Sequence, residues 1–368
     1  MHATPGISRA QLTRELGISS GLAAELVGQL ESRELIAQSP APASGRRGRP
    51  TLELGAHPQG PLAAVAMIGH ESWTASLLEL GGGVVGRLQG RHDREVAVAC
   101  TEVREALGEL CSPVRPRVRA VAISVPGITT GSTLVEAPNL GWREVDLADL
   151  LLPADLRSRS FLLGNDANLA ALGESRRGAA VEIGTSLHLY MHSGVGGALI
   201  SGGNLLTGSR GTAGEFGHLP FGPRTRRCRC GALGCWNTLL DGAAFARGLG
   251  CPESADEISL ITSTLARAAE RTGRERTVAQ SVGRALGRGI AGLVNALDPD
   301  AVILGGLAPR LLDVAPGAVH AAYANGLMGM RSGDPVPVIR GSLGDDAPLV
   351  GAGEQAFARI LDDLQARA

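Results

Sequence analysis

Residues 211–218 of the chain read GTAGEFGH, and residues 228–235 read CRCGALGC. The second stretch holds three of the six cysteines, and a histidine ends the first. Three thiolates and one imidazole suit a structural zinc ion, because four protein ligands leave no position for water. The alternative is three free cysteines beside an unrelated histidine, but their crowding favours metal. The predicted zinc ligands are His218, Cys228, Cys230 and Cys235.

The composition describes a folded, charge-balanced protein. With 368 residues the chain is long enough for two or three domains, and 44% hydrophobic residues supply a sizeable core. The 35 basic and 36 acidic side chains nearly cancel, so no global field attracts nucleic acid or a membrane. The N-terminus lacks the apolar region of a secretory signal, and the uncharged stretch 183–209 is too polar to span a bilayer. We therefore expect a cytoplasmic protein.

Apolar runs alternate with helical patterns along most of the chain. The runs that end at turn residues predict strands at 62–67, 73–80, 118–125, 160–163 and 301–304. Helical spacing of apolar residues predicts helices at 98–110, 169–175 and 279–297. This alternation is typical of an α/β fold, in which ligands bind at the carboxyl ends of the strands.

The N-terminal residues predict two short helices around a tight turn. Ser8 followed by Gln11 forms a capping box, Gly17 ends the first helix, and Ser19 or Ser20 begins the second. The second helix carries an apolar stripe at i, i+4 spacing, formed by Leu22, Leu26 and Leu30. Two amphipathic helices joined in this way indicate a helix-turn-helix, although a small packing module has the same pattern.

Two strand-like segments, 35–37 and 51–54, follow these helices, and the segment between them ends in GRRGRP at 45–50. This composition is typical of the wing of a winged helix-turn-helix domain. The side chains of Arg47 and Arg49 are separated by one glycine, and a slender segment of this kind can insert into an A·T-rich minor groove. The alternative is an ordinary solvated loop. The predicted DNA contacts are Ser19, Ser20, Arg46, Arg47 and Arg49.

Two further motifs leave their roles open. Asp166 follows an apolar strand and precedes a helix, so it is either a helix cap or a carboxylate that serves a ligand hydroxyl or a general base. The glycine-rich segment 193–197 is either a phosphate-binding loop or a hairpin.

Together these motifs resemble the ROK family of repressors and sugar kinases. The specific part is the pair of stretches 211–218 and 228–235, which is similar to the family signature and its zinc site. The family's order is also kept by ISVPG (123–127), APNLGW (137–142), GNDAN (164–168) and ILGG (303–306). The resemblance covers the chain from about residue 62 to the C-terminus, and the N-terminal helices match the regulator branch.

The resemblance implies a fold and its division. We expect a winged helix-turn-helix at 1–60, followed by two α/β lobes of the actin and hexokinase type, which is a ribonuclease-H-like fold. The first lobe spans 61–163, and a C-terminal helix within 341–368 returns to it. The second lobe spans 164–340 and carries the zinc site. A sugar binds in the cleft between the lobes.

The resemblance also implies roles for single residues. The residues that match sugar contacts of the family are Asn139, Asn165, Asp166, Glu215 and His218. His218 can serve both sites, with one ring nitrogen on zinc and the other on the sugar. The family usually has a glutamate where this chain has Asn237. The asparagine amide is uncharged and can both donate and accept hydrogen bonds. The resemblance therefore does not fix which sugar the cleft prefers.

A second departure bears on activity. The segment MIGHE at 67–71 matches the family's DxGxT-like turn, which holds ATP phosphates and Mg²⁺. Met67 replaces the carboxylate, and Glu71 stands where a hydroxyl would help to hold phosphate. Because an anion facing the triphosphate repels it, we expect no kinase activity, and Asp166 becomes a vestigial base.

The sequence thus favours a sugar-responsive transcriptional regulator of carbohydrate metabolism genes, with repression preferred. The alternatives are an active ATP-dependent sugar kinase with a DNA-binding appendage and a zinc-stabilised interaction module. The expected partners are operator DNA with an inverted repeat, a sugar or sugar-phosphate effector, structural Zn²⁺ and a second copy in a dimer or tetramer, with no membrane.

Replacing both Arg47 and Arg49 with Ala should weaken operator binding and flatten its salt dependence, because fewer counterions are released. Titrating an operator duplex over a range of salt concentrations checks this. Unchanged binding at every concentration would show that these arginines have no such role.

Overall fold

The N-terminal head has two helices and a two-stranded antiparallel sheet. The computed structural model describes residues 1–41, 52–254 and 256–366 of the chain. The elements of the head are α1 (Arg9–Leu16), α2 (Ser20–Ser32), β1 (Ile36–Pro40) and β2 (Leu52–Ala56). The predicted wing arginines Arg46, Arg47 and Arg49 lie outside the described residues.

Local hydrogen bonds set the ends of α1 and α2, and they confirm the predicted helix signals. The Ser8 hydroxyl accepts from the Gln11 backbone at 3.2 Å, and the Gln11 side chain accepts from the Ser8 backbone at 2.9 Å. Gly17 ends α1 in the left-handed conformation, at φ 62°. Ser19 is the N-cap of α2 and accepts from the Leu22 backbone at 3.2 Å.

The apolar stripe of α2 lies on the exposed side of the helix. Leu22 is 44% exposed, and Leu26 and Leu30 are each 37% exposed. The helix packs instead through Ala23 and Val27, whose smaller side chains allow close approach to the rest of the head.

The first lobe is built on a five-stranded sheet with the order β10-β6-β3-β4-β5. Strands β3, β6 and β10 are parallel, and β4 and β5 extend the sheet as an antiparallel meander. A three-stranded antiparallel sheet, β7-β8-β9, stands beside it. The elements are β3 (Leu62–Ile68), β4 (Ser72–Glu79), β5 (Val84–Arg91), α3 (Val96–Cys111), β6 (Val118–Val125), β7 (Ile128–Thr130), β8 (Thr133–Ala137), β9 (Trp142–Asp146), α4 (Leu147–Leu151) and β10 (Ser160–Asn165).

The second lobe repeats this topology. Its sheet has the order β13-β12-β11-β14-β15, in which β11, β14 and β15 are parallel and β12 and β13 form the meander. The elements are α5 (Asp166–Arg177), β11 (Thr185–Met191), β12 (Val195–Ser201), β13 (Asn204–Leu205), α6 (Gly242–Leu249), α7 (Glu257–Glu270), α8 (Arg274–Leu297), β14 (Ala301–Gly306), α9 (Ala308–Val314), α10 (Pro316–Gly326) and β15 (Val338–Arg340). The chain then returns to the first lobe in α11 (Ala347–Gln365).

The last helix joins the three parts of the molecule. Apolar residues of α11, among them Leu349, Phe357 and Ile360, belong to one buried cluster with β3 and β6 of the first lobe. The same cluster contains the head residues Ile7, Val27, Leu35, Ile36 and Leu54. The head therefore shares a continuous core with the body of the protein.

Helices α5 and α11 pack with their backbones in contact. A Cβ on Gly351 would lie 1.8 Å from the backbone oxygen of Leu169, and one on Gly173 would lie 2.6 Å from the backbone oxygen of Ala347. Neither site has room for a side chain, so both glycines are required by the close approach.

Gly351→Ala should lower the melting temperature, because the added methyl group forces α5 and α11 apart at a cost of about 1–3 kcal/mol. Scanning calorimetry of the full chain checks this. Gly317→Ala in α10 is the matched control, since no atom lies within 4 Å of its added Cβ. Equal melting temperatures for the two variants would show that the contact tolerates a side chain.

Candidate functional site

A cavity of about 820 Å³ lies between the two lobes, and we call it the cleft. Its walls include the residues that follow five parallel strands, three from the first lobe and two from the second. These are the turns after β3, β6, β10, β11 and β14. The cleft thus forms where an α/β fold places its ligands, at the carboxyl ends of the strands.

Helix α5 begins in this cleft. Asn165 is its N-cap and accepts from the Asn168 backbone at 3.1 Å, while its amide nitrogen donates to the Gly127 carbonyl at 2.9 Å. The cap is therefore Asn165, not Asp166. Asp166 is the first residue of α5 and accepts from the Ala167 backbone at 2.8 Å.

Acidic side chains meet across the cleft. Asp166 and Glu215 both line it, and burial raises the pKa of each carboxyl. The charge of Asp166 raises the pKa of Glu215 further, so the two carboxyl groups interact electrostatically. The charge of His192 acts against the effect of burial, because it lowers the pKa of the Asp166 carboxyl. Carboxylates held this way accept hydrogen bonds from neutral hydroxyl groups.

A chain of hydrogen bonds crosses from one lobe to the other. The Asn139 amide nitrogen donates to Ser193 Oγ at 2.9 Å, and His70 Nε2 lies 2.8 Å from the same oxygen. Burial, with the charges of His192 and Arg94, lowers the pKa of His70 to about 4. His70 is therefore neutral at pH 7, and its contact with Ser193 is a hydrogen bond between neutral groups.

Segment 193–197 begins at the turn of a hairpin. Strands β11 and β12 pair antiparallel, with Met191 opposite Val195, which supports the hairpin interpretation. Asn237 holds this turn, since its side-chain oxygen accepts from the Val195 backbone at 2.7 Å. Asn237 also lines the cleft.

The predicted metal ligands converge. The four ligand atoms of His218, Cys228, Cys230 and Cys235 lie within 4.8 Å of one another. His218 Nδ1 is 3.7 Å from Cys228 Sγ, and Cys230 Sγ is 3.6 Å from Cys235 Sγ. Zinc bonds of 2.0–2.3 Å give tetrahedral edges of about 3.3–3.8 Å, so the cluster fits such an ion.

Charge supports the same conclusion. Burial and the neighbouring thiols raise the pKa of Cys235 to about 12, and burial raises that of Cys228, so the thiolate forms of these two cysteines need a cation beside them. Burial lowers the pKa of His218, which favours the neutral imidazole that binds metals. Its other nitrogen, Nε2, lies 3.7 Å from Glu215 Oε2. The cluster could therefore hold a metal ion directly beside the carboxylates of the cleft.

The comparisons with known proteins agree with this geometry. The model of the ROK family matches residues 84–357, about three quarters of the chain. The chain belongs to the ROK family.

Curated relatives in this family include both enzymes and regulators. A glucokinase of Halalkalibacterium halodurans is 30% identical over 278 residues, covering 70% of this chain and 82% of that protein. The DNA-binding transcriptional dual regulator NagC of Escherichia coli is 24% identical over 363 residues, covering 94% of this chain and 87% of NagC.

A solved structure has the same fold. It is the crystal structure of a ROK family transcriptional regulator, a homologue of the E. coli MLC protein. It superimposes with a TM-score of 0.73 at 23% identity, covering 95% of this chain and 92% of that one. The two-lobed α/β architecture behind an N-terminal head is therefore confirmed. No helix among the described residues is long and apolar enough to cross a membrane.

The turn after β3 differs from the ROK-based expectation in its electrostatics. Met67 is partly buried and lines the cleft, as expected for a position without a carboxylate. Glu71, however, pairs with Arg94 at 2.5 Å and with Arg91 at 3.1 Å. Because these guanidinium groups compensate its charge, Glu71 does not present the bare anion that the sequence suggested.

Several polar groups of the cleft were missed by the sequence analysis. They are His70, His192, Arg94, Arg229 and Glu257. Arg229 donates to Asn139 Oδ1 at 3.2 Å and to the carboxylate of Glu257. Of these, Arg229 had a sequence signal, since it lies between two predicted metal ligands.

Cys230→Ser should release the metal ion and loosen the loop that follows Glu215, because structural zinc contributes folding free energy directly. Metal analysis should return one zinc per wild-type chain and clearly less for the variant. Cys251→Ser, an exposed cysteine outside the cluster, is the matched control. Wild-type protein that folds with clearly less than one zinc per chain would contradict the prediction.

Proposed function

We propose that this ROK protein is a sugar-responsive, DNA-binding transcriptional regulator, that repression is its mode of action, and that its kinase activity is lost. The main support is the packing of the head against the helix pair α5 and α11. Because α5 begins in the cleft, a ligand bound there and a DNA site bound by the head would act on one connected unit.

The cleft offers a sugar several polar contacts. We assign hydroxyl recognition to Asp166 and Asn165 on one wall and to Glu215 and His218 on the other. Asn139 and Asn237 complete the set. Buried carboxylates and amides suit hydroxyl groups, because each hydroxyl can donate to one and accept from the other. In this assignment the metal ion, zinc by its donor set, orients His218 toward the sugar.

The head is tied to the far end of α5 by an ionic cluster. Arg177, the last residue of α5, donates to Glu354 of α11 at 2.6 Å. His2 Nε2 lies 3.3 Å from the same carboxylate, and its ring lies 5.0 Å from the ring of Phe357. A helix of 12 residues spans about 18 Å, so α5 reaches from the cleft to the head.

The connection between head and first lobe is short. The turn from β2 to β3 covers residues 57–61, where the Gly60 backbone donates to His57 at 2.8 Å and Arg117 donates to Gly60 at 2.9 Å. A rotation of the lobes is therefore passed to the head instead of being absorbed by a flexible linker.

DNA binding in this proposal depends on charge outside α2. That helix carries Glu25 and Glu31 and no arginine. We assign phosphate contacts to Ser19 and Ser20 at its N-terminus and minor-groove contacts to the wing residues Arg46, Arg47 and Arg49. A dimer or tetramer would place two heads in successive major grooves of an inverted repeat.

Loss of kinase activity rests on Met67. The thioether cannot hold Mg²⁺ as a carboxylate would, whereas Glu71 is neutralised and contributes less to the argument. A second candidate function, ATP-dependent sugar phosphorylation, is favoured by Asp166 in the cleft and by the 30% identity to a glucokinase.

Asp166→Ala should abolish the effect of sugar on operator affinity and leave metal content and sugar-free DNA binding near wild type. A coupling of ~1–3 kcal/mol gives a wild-type shift of roughly 5- to 150-fold. The sugar is first found by thermal shift over a panel of monosaccharides and disaccharides, and fluorescence anisotropy then measures operator binding with and without it.

Asp149→Ala on α4 is the matched control, because this carboxylate is exposed and lies outside the cleft. If a sugar binds wild-type protein and operator affinity stays the same, the chain is not a sugar-controlled switch. ATP-dependent turnover of the sugar that is lost in Asp166→Ala would establish the kinase instead.

Arg177→Met should reduce the sugar-induced shift in operator affinity to about twofold or less, because it detaches the end of α5 from Glu354. Arg176→Met is the matched control, since Arg176 is its neighbour on α5 and, within the part of the chain that the structure describes, donates to the Gly203 carbonyl at 2.9 Å and not to Glu354. The same anisotropy titrations serve both variants. If Arg177→Met shows the same sugar-induced shift in operator affinity as wild type, the contact between Arg177 and Glu354 is not needed for the coupling.

A further inference from the structure

The metal-binding loop, residues 218–235, extends one side chain across the cleft. Arg229 lies between Cys228 and Cys230, and its guanidinium donates to Asn139 Oδ1 at 3.2 Å. Asn139 belongs to the turn between β8 and β9, on the opposite side of the cleft. Arg229 therefore joins the metal-binding loop to a proposed sugar contact.

The chemistry of this contact fixes the orientation of the Asn139 amide. A guanidinium group only donates, so the amide oxygen must face Arg229. The amide nitrogen then faces Ser193 and donates to its hydroxyl at 2.9 Å. One lone pair and one N–H of the amide stay unused by these two bonds, and their positions are set by the same geometry.

The second terminal nitrogen of the Arg229 guanidinium group, Nη2, is held by a buried carboxylate. It pairs with Glu257 at the start of α7, whose side chain is only 6% exposed. The backbone of Gly242 packs against Glu257, since an added Cβ there would lie 2.5 Å from the Glu257 Cβ. A planar guanidinium can hold two partners at once, whereas a lysine ammonium is a single point of charge on a flexible stem.

We propose that Arg229 is a positioning residue for the sugar: it holds the Asn139 amide in one orientation, so that the cleft presents one fixed donor and one fixed acceptor. The fitting ligand is a neutral saccharide with two adjacent hydroxyl groups, one of which donates while the other accepts. This inference rests on the proposed sugar-binding function and adds the residue that sets its hydroxyl pattern.

The test is a double-mutant cycle on the full chain. Isothermal titration measures the Kd of D-glucose, D-mannose, D-galactose, D-xylose and N-acetyl-D-glucosamine for wild type, R229Q, N139A and R229Q/N139A. R229K is the conservative variant. R227Q is the matched control, because Arg227 lies in the same loop and donates to the Gly231 carbonyl within it, and among the described residues it has no hydrogen bond to Asn139. Metal content is measured for every variant.

We expect R229Q to weaken the best-binding sugar by about 2- to 12-fold, the equivalent of one hydrogen bond. R229K should recover part of this loss, and R227Q should match wild type. On the N139A background R229Q should change nothing further, because Arg229 acts through that amide. The ratio of the Kd values for glucose and its epimers should also change in R229Q.

Other outcomes separate the two proposals. Sugar binding that is equal in wild type and R229Q, or losses that simply add in the double variant, would overturn the role of Arg229 and leave the sensor intact. If R229Q loses its metal, R229K and the double variant R229K/N139A, with their metal retained, take the place of R229Q and R229Q/N139A. Sugar binding by R229K that equals wild type, or losses that simply add in R229K/N139A, would then overturn the role of Arg229. If none of the five sugars binds wild type, this inference fails, and the proposed function is then decided separately by the thermal-shift panel of monosaccharides and disaccharides.

Discussion

The backbone contact between α5 and α11 is the constraint on which the arrangement of the other parts depends. Helix α5 starts at the cleft, and α11 covers the sheet of the first lobe and forms part of the core of the head. Gly173 and Gly351 let the two helices approach until main-chain atoms touch. Packed interiors resist continuous deformation, so such a pair moves as a unit. Cleft, sheet and head are therefore mechanically connected without a dedicated hinge domain.

Some carboxylates of the cleft form salt bridges with arginines from other parts of the chain, and others do not. Glu71 is compensated by Arg91 and Arg94, and Glu257 by Arg229. Asp166 and Glu215 have no such arginine partner among the described residues, and burial raises the pKa of both. The carboxylates of the cleft thus differ in their surroundings: Glu71 and Glu257 are paired with arginine, whereas Asp166 and Glu215 are surrounded mainly by uncharged groups that raise their pKa.

The sequence predicted the architecture well because its signals were local. Strand β6 and the capping box of α1 follow from apolar runs and turn chemistry, and the four metal ligands follow from cysteine spacing. The meander strand β5 was missed, because it alternates exposed and half-buried residues without an apolar run. The face through which α2 packs was also not predicted, since periodicity gives a stripe but not the neighbour that covers it.

The site was predicted less completely, for a related reason. Contacts such as His70 with Ser193 join residues 123 positions apart, and no spacing rule reports them. The salt bridges of Glu71 depend on the pairing of β4 with β5, which brings Arg91 opposite Ser72. A charge that looks repulsive in the sequence becomes neutral once the sheet is formed. Only the cap at Asn165 could have been resolved locally, by comparing the two adjacent capping candidates.

The repeated topology of the two lobes has an evolutionary consequence. Each sheet builds its own rim of the cleft, so the two rims can diverge independently. Substitutions at the turn after β3 alter one rim, while the turns after β11 and β14 belong to the other. A protein of this design can change the side chains of one rim while the other rim keeps its own, because each rim is carried by a separate sheet.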